Sequence, residues 1–561
     1  HPGWGQGCDL PRMLFATEGA VMMNRLHLGA GCVLAGFCIL AIAGLLWVID
    51  VPAGRADEIN ISRVTEIAQS AQQCPDQLVF DPTSGSFMTS DNLFLPTQQG
   101  NNCYAWQMFI AMNWPVSSSW PGTPSAAGEP DQNVSVENWG VPENPTSPLT
   151  SVPVWGSFKD AQAIFLPDAA KPTDWGVPQA VPSGCKSDKM LLGYPAGSAK
   201  ILTTLSKNAV NTAHRFHLSS GTRDTQSDEI MEATGGWLTD QNGNLVFFER
   251  KVGKVEFDYI MNNTLYDAAD QMRVATNADG RHPAGLSLPS GKFLRVPPTE
   301  PQGQDALGAF EIKAAWRVLT GQSDIYDRYL TSVAWLKRPD TGECSQEVVG
   351  LVGLHIIHKT DTFPDLIWAT FEQVDNVPDG QATLPPGGYS FNNPNCTGPD
   401  CKPNQPRIDC NDQNQCKDLY PRDQPVQVTR EQALTSEMDT LNAGVAQKIA
   451  SQTGGKSVFQ YYKLVNVLWD GSPSPPVMEP GANASIPLRY GTFESEGNLK
   501  VANTTMETYI QDQSCDFCHA NATIAGSDTL ASDFSFIFRD AGSAKNPSLV
   551  EEVKQFMEQA Q

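Results

Sequence analysis

Three residues near the carboxyl terminus have the identity and spacing of a covalent cofactor site. Cys515, Cys518 and His519 form the sequence Cys-x-x-Cys-His. In this pattern the two thiols form thioether bonds to the vinyl groups of a haem, and the adjacent imidazole becomes the proximal ligand of its iron. The alternatives are a redox disulfide, which would need a βαβ context, and a zinc site, which would need a second pair of ligands nearby. Neither context is evident in the flanking residues, so the sequence predicts one covalent haem c.

The motif leaves the second axial ligand of the iron undefined. Residues 347–359 are rich in Val, Leu and Ile and predict a buried strand. Because side chains alternate along a strand, His355 is expected on the face of Leu351 and Gly353, and His358 on the opposite face. At most one of them can point toward a given haem. His355 is the preferred candidate for the distal ligand and His358 the alternative; the competing interpretation is a buried histidine with hydrogen-bonded ring nitrogens.

Other side chains could supply the sixth ligand of the iron, or the sixth coordination position could be open. His214 and His217 share a face if their segment is helical, and that spacing also suits a metal. Met557 lies in a predicted terminal helix, residues 547–559, on an apolar face typical of core packing. An open sixth position is the remaining alternative.

Three stretches of the chain carry a resemblance to a known group. They are VANTTMETYIQDQSCDFCHANA followed by DFSFIF, NCYAWQMFIAMNWP (residues 102–115) and GLHIIHKTDTFPDLIWATFEQVDNVP (residues 353–378). Together they resemble exported bacterial c-type cytochrome family proteins whose biochemical role is undefined. The resemblance implies an exported single-haem cytochrome and specifies no substrate.

An apolar segment near the amino terminus predicts export. Residues 26–49 contain no charge and follow Met22 and Arg25, as in a signal peptide or signal anchor. A small-x-small cleavage pattern ends at Ala56, so residues 1–56 are assigned to the signal peptide or signal anchor. Residues 1–21 within this range carry no recognisable pattern. The expected location is periplasmic or extracellular, with membrane anchoring if the segment is retained.

The cysteines outside these regions predict disulfides. The sequence has 13 cysteines, and eight remain once those of the motif and of residues 1–56 are set aside. An even number in an exported chain indicates up to four bridges. The expected pairing is Cys74 with Cys103, Cys185 with Cys344, and local closure among Cys396, Cys401, Cys410 and Cys416. A zinc site is the alternative for the last four, although their spacing lacks paired Cys-x-x-Cys hooks.

The elements that must position the motif predict an α+β fold. Residues 57–500 are expected to form a β-rich domain of mainly antiparallel strands with long Pro/Gly-rich loops and a Cys-rich insertion at 380–428. Residues 501–561 are expected to form a short, mostly helical haem segment that docks on this domain. Predicted strands are 244–249, 255–260, 309–318, 329–336, 347–359 and 366–373. Predicted helices are 259–272, 430–444, 501–511 and 547–559.

Composition narrows the functional classes. The formal net charge is −24, which disfavours binding to nucleic acid and suits a basic redox partner. No nucleophile elbow or metalloprotease motif is present, and no catalytic residue is assigned. The expected function is electron transfer through the haem. The alternatives are a peroxidase-like haem oxidoreductase, or a haem-based sensor or binding module whose ligand site lies on the β-rich domain.

Overall fold

The structure is a computed structural model, and it describes part of the chain. The described residues are 74–84, 87, 97–142, 150–181, 185, 200–203, 238–276, 285–291, 307–319, 325–337, 344–360, 363, 365–379, 384–405, 408–410, 416–418, 427–470, 493–494, 500–519, 522–527 and 530–543. They all belong to one compact unit, Glu66–Gln561. The apolar segment 26–49, His214, His217 and Met557 lie outside the described residues. Within these ranges, no helix is both long and apolar enough to cross a membrane.

A mainly antiparallel sheet dominates the described part of the chain, as the α+β assignment predicts. In chain order the strands are β1 (Lys159–Asp160), β2 (Lys200–Thr203), β3 (Val246–Val252), β4 (Phe310–Val318), β5 (Thr331–Lys337), β6 (Cys344–His358), β7 (Ile367–Gln373), β8 (Ile408–Cys410), β9 (Cys416–Asp418), β10 (Tyr462–Asp470) and β11 (Phe493–Glu494). Nine of these described strands form one sheet in the order β1-β3-β2-β5-β6-β7-β10-β11, with β4 paired to both β3 and β6. Only the described β2–β5 pair is parallel, and β8 and β9 form a separate pair.

Few helices accompany the sheet in the described ranges. They include α1 (Gln98–Met112), α2 (Lys254–Asn262), α3 (Ala268–Ala275), α4 (Ser436–Thr453) and α5 (Cys515–His519). Thr97 begins α1, where its hydroxyl accepts the N–H of Gly100, and Thr435 caps α4 in the same way. Gly454 ends α4 in the left-handed conformation that glycine favours.

Some of the secondary-structure elements predicted from the sequence differ from those in the structure. The strand predicted at 255–260 lies in α2, because its apolar residues fit a helical period as well as an alternating one. The helix predicted at 501–511 is a series of turns, in which the side chain of Asn503 accepts the N–H of Thr505 and competes with helical bonding. Strand β10 was not predicted. Its alternation is interrupted between Leu464 and Asn466, where the register shifts by a bulge.

A bulge in β6 decides which side chains share a face. Ala315 pairs with Gly353 and Trp316 with Leu351, so Val352 is an extra residue. Leu351 therefore packs in the main core, whereas Gly353, two residues on, faces the other side of the sheet against residues 503–505. His355 lies on that second face, and the prediction that it shares a face with Leu351 is wrong.

Three disulfides join described cysteines. Two are the predicted pairs, Cys74–Cys103 and Cys185–Cys344, and the third, Cys396–Cys401, lies within the predicted local closure of four cysteines. Cys410 and Cys416 stand opposite each other in the β8–β9 pair, and a bridge between them stays a prediction. Disulfides are compatible with an exported protein, because they persist in oxidising compartments.

Candidate functional site

The motif forms a short helix that lies against the second face of the sheet. Cys515 begins α5 and is half-buried, with Sγ 3.5 Å from the carbonyl oxygen of Val501. It packs beside an apolar cluster that includes Ile357 and Trp368. Cys518 lies in the same helix, and His519 ends it. The helix thus brings the predicted motif to a wall built by β6 and β7.

The ring of His519 is held in a defined orientation. Its Nδ1 lies 2.7 Å from the carbonyl oxygen of Phe534, and the ring centroids of Trp368 and Phe536 are 4.6 Å and 5.1 Å away. A carbonyl oxygen can only accept, so Nδ1 carries the proton. In the neutral ring the lone pair is then on Nε2, the arrangement found when a histidine binds a metal through Nε2.

A cavity open to solvent adjoins Cys515 and His519. Residues of β4, β6 and β7, of the motif helix and of the segments beside it line this cavity. Its apolar lining contains Ile357, Trp368, Ala369, Val501, Ile510 and Phe536, and its polar lining contains Lys313, His355, Glu507, Gln513 and Ser514. The lining therefore combines an apolar surface with several polar and charged side chains.

His355 lines the same cavity, with both ring nitrogens in hydrogen bonds. Nδ1 lies 2.8 Å from the hydroxyl of Thr370, and Nε2 lies 3.2 Å from Oε1 of Glu507. Burial would raise the pKa of Glu507, but attraction to His355 and Lys313 outweighs it and lowers that pKa. Glu507 is thus an ionised acceptor, so Nε2 of His355 donates to it. Binding of iron by this nitrogen would require the bond to Glu507 to break.

His358, the alternative candidate, lies on the opposite face of the sheet. Its Nδ1 is 2.9 Å from the hydroxyl of Tyr104, and its ring stacks on Phe310 at 3.8 Å. Burial lowers its pKa well below the usual range, so the ring is neutral. It is absent from the cavity lining. Of the two candidates, the structure brings only His355 together with Cys515 and His519.

A buried ionic network fixes the segment that precedes the motif. Glu372 accepts the backbone N–H of Thr504 at 2.5 Å and its hydroxyl at 2.9 Å. Arg430 pairs with Glu372 at 2.6 Å and with Asp379 at 2.9 Å, and Lys463 also pairs with Asp379. These contacts give Glu372 a structural role and hold residues 501–508 against the sheet.

Several residues of the site have weak sequence signals. Lys313 lies on β4, and the register places it opposite His355. Glu507 and Trp368 had no recognised signal, although Trp368 alternates with the core residues of β7. The carbonyl of Phe534 is a backbone group that no residue type could reveal. Among the described residues, no three His, Cys, Asp or Glu side chains converge as a metal-ion cage.

Comparisons with known proteins provide no family assignment. The chain matches no family model, no curated protein and no solved structure. Its function is therefore inferred from the chemistry of the cavity and of the residues that line it.

Proposed function

We propose that the protein is an exported monohaem c-type cytochrome that transfers electrons. Cys515 and Cys518 would hold the haem by thioether bonds, and His519 would bind its iron through Nε2. The observation that carries the proposal is the bond from Nδ1 of His519 to the carbonyl of Phe534, beside a cavity that Cys515 and His519 line together. A metal-binding histidine is usually held in this way by a backbone carbonyl or carboxylate on its other nitrogen.

The cavity walls fit an aromatic macrocycle. The rings of Trp368 and Phe536 both contact the ring of His519, and Ile357 and Val501 add aliphatic surface to the cavity. Aromatic and aliphatic walls favour a flat apolar group and exclude water from part of it. A bound haem supplies a metal centre that gains and loses one electron. The residues of this chain attach it, orient its proximal ligand and limit access of water.

The acidic surface supports a basic redox partner. A formal net charge of −24 creates an attractive field for a positively charged protein and speeds encounter. The opening of the cavity to solvent gives such a partner a side from which to approach the cofactor. A periplasmic or extracellular location, with three disulfides among the described cysteines, suits a covalent cofactor that is not lost by dissociation.

One observation favours a second candidate function, that of a haem oxidoreductase or sensor. Because Nε2 of His355 donates to Glu507, this histidine is not poised to bind iron. A sixth position without a protein ligand could take a small exogenous molecule such as peroxide or a gas. Lys313, His355 and Glu507 would then form the polar side of the ligand site.

Intact-mass analysis tests the proposed attachment. The full chain is produced with a working cytochrome c maturation system, and one haem mass should remain on the denatured protein. Cys515→Ser with Cys518→Ser should abolish this addition. The matched control is Cys396→Ser with Cys401→Ser, which removes a disulfide outside the cavity and should leave the haem in place. Bare polypeptide from the unaltered chain would overturn the proposal.

Spectroscopy separates electron transfer from the second candidate. Iron that stays low-spin and six-coordinate in both oxidation states, with a reversible one-electron titration, supports electron transfer. High-spin ferric iron that binds cyanide and reacts with peroxide supports the oxidoreductase.

A further inference from the structure

A two-residue strap, Asp533 and Phe534, carries the carbonyl that His519 contacts. Both residues have positive φ, 57° and 68°. Residues with a Cβ rarely adopt this left-handed conformation, because the Cβ crowds the following carbonyl. Two such residues in succession persist only where the surrounding structure holds them.

Asp533 ties the strap to the rest of the protein. Its Oδ2 accepts the backbone N–H of Leu288 at 2.6 Å and forms a short ion pair with Nζ of Lys359. Lys359 directly follows β6, and its own N–H donates to the carbonyl of Ala309 at 3.0 Å. The strap is therefore attached, through Lys359, to the end of β6, the strand that carries His355.

Another acid, Glu256, interacts with Lys359 and could compete with Asp533 for it. Glu256 is fully buried on α2, and burial, together with the neighbouring Glu311, raises its pKa well above the usual range. A protonated Glu256 carries no charge and does not draw Lys359 away. The ion pair that holds Lys359 at the strap is the one with Asp533.

We propose that Asp533, held by Lys359, is a positioning residue for His519 that acts through the carbonyl of Phe534. This inference rests on the proposed role of His519 as an iron ligand. A fixed acceptor on Nδ1 selects one tautomer and makes Nε2 a stronger electron donor to a metal. A stronger donor stabilises ferric iron over ferrous iron, so an intact strap gives a lower reduction potential than a loosened one.

The test compares two ion pairs that both join residues 530–543 to the sheet. Asp533→Asn removes the charge that Lys359 contacts, and asparagine still tolerates the left-handed conformation. Asp540→Asn removes the partner of Arg250, 2.6 Å away, without touching the strap, and is the matched control. Lys359→Met removes the same Lys359–Asp533 ion pair by changing the lysine. The result then does not depend on a single variant that could fail to fold. Thermal melting confirms that each variant is folded.

In haem-loaded protein, potentiometric titration should show an upward shift for Asp533→Asn and Lys359→Met. Asp540→Asn should leave the midpoint potential unchanged. Equal shifts in all three variants, or a shift in none, would overturn the positioning role, because either result would show that the strap contact has no specific effect on the iron.

The full chain made without haem separates this inference from the proposed function. Spectra of ¹⁵N-labelled histidine report which nitrogen of His519 carries the proton. The unaltered chain and Asp540→Asn should show Nδ1–H, and Asp533→Asn a mixture of tautomers. If this pattern appears but haem never attaches, the positioning role stands and the proposed function fails. If haem attaches and the tautomer of His519 is the same in Asp533→Asn as in the unaltered chain, the proposed function stands and the positioning role is wrong.

Discussion

His355 illustrates how hydrogen bonding sets what a histidine can do. Its position in the cavity suits an iron ligand, yet its Nε2 donates to Glu507 and its Nδ1 contacts Thr370. A nitrogen that carries a proton has no lone pair to offer a metal. The carboxylate of Glu507 therefore determines whether His355 is a ligand or a polar wall group.

Removing this carboxylate should release the histidine. In haem-loaded Glu507→Ala, Nε2 of His355 loses its acceptor, and we expect the low-spin fraction of ferric haem to rise in the absorption spectrum. The double variant Glu507→Ala with His355→Ala should lose that increase. A wild-type spectrum that is already low-spin and becomes high-spin in His355→Ala alone would contradict this expectation, because His355 would then bind iron despite Glu507.

At the scale of elements, the contact between β6 and residues 503–505 shapes the site. A Cβ on Gly353 would lie 2.3 Å from Oγ1 of Thr505 and 2.8 Å from Oδ1 of Asn503. Glycine is thus required there by close approach of another segment. The same segment continues to Glu507 and to the motif, so its seating on the sheet sets the cavity wall.

Gly353→Ala should therefore destabilise the protein and disturb the cavity. Overpacking of this kind costs about 1–3 kcal/mol, measured as the free energy of unfolding in urea. Thr505→Ala in the same chain removes the nearest clashing atom and should recover part of the loss. Gly122→Ala is the control, because a Cβ there would come no closer than 3.4 Å to another atom, the carbonyl oxygen of Ser119. A loss at Gly353 no larger than at Gly122 would contradict the close contact.

At the scale of the whole molecule, two buried acids, Asp379 and Glu256, make the free energy of unfolding change with pH in opposite directions. The pKa of Asp379 is lowered, because Lys463 and Arg430 outweigh the effect of burial, which raises it. Its contribution is present above its unfolded pKa and is lost as the pH falls through the folded value. The pKa of Glu256 is raised, so its contribution is present below about pH 4.5 and is lost as the pH rises.

Glu256→Gln should stabilise the protein near pH 7 more than near pH 4. The amide is neutral at both values, so the variant avoids the cost of keeping a buried acid protonated, or of ionising it, at neutral pH. Denaturant unfolding at the two pH values measures the difference. Glu137→Gln, at an exposed acid, should show no such gain at pH 7. A gain for Glu256→Gln that is equal at both pH values would show that burial does not raise this pKa.

The net charge predicts a salt dependence of electron exchange. A protein with a formal net charge of −24 should reduce a basic redox protein faster at low ionic strength. Screening shortens the range of this attraction to about 8 Å at physiological salt, so stopped-flow rates should fall as salt rises. An acidic redox protein is the control and should show the opposite trend. Equal salt trends for both partners would remove the argument for a basic partner.

Much of the fold could be predicted because its signals are local. The strand predicted at 309–318 is β4, where Ile312 packs in the main core and the next residue, Lys313, lines the cavity on the other face. Two disulfides among the described cysteines are the predicted pairs, and a third lies within the predicted local closure. The failures arise where local patterns are ambiguous or broken. Residues 255–260 fit two periods, and β10 carries a bulge.

The sequence by itself determined which residues make up the motif, because Cys515, Cys518 and His519 are neighbours along one short helix. Only the tertiary structure decided what surrounds His519. The carbonyl of Phe534 and the ring of Trp368 reach it through packing of distant segments, and a bulge in β6 directs His355 to the same cavity. Spacing along the chain fixes neighbours within an element, whereas contacts between elements depend on how their faces pack, which no local pattern specifies.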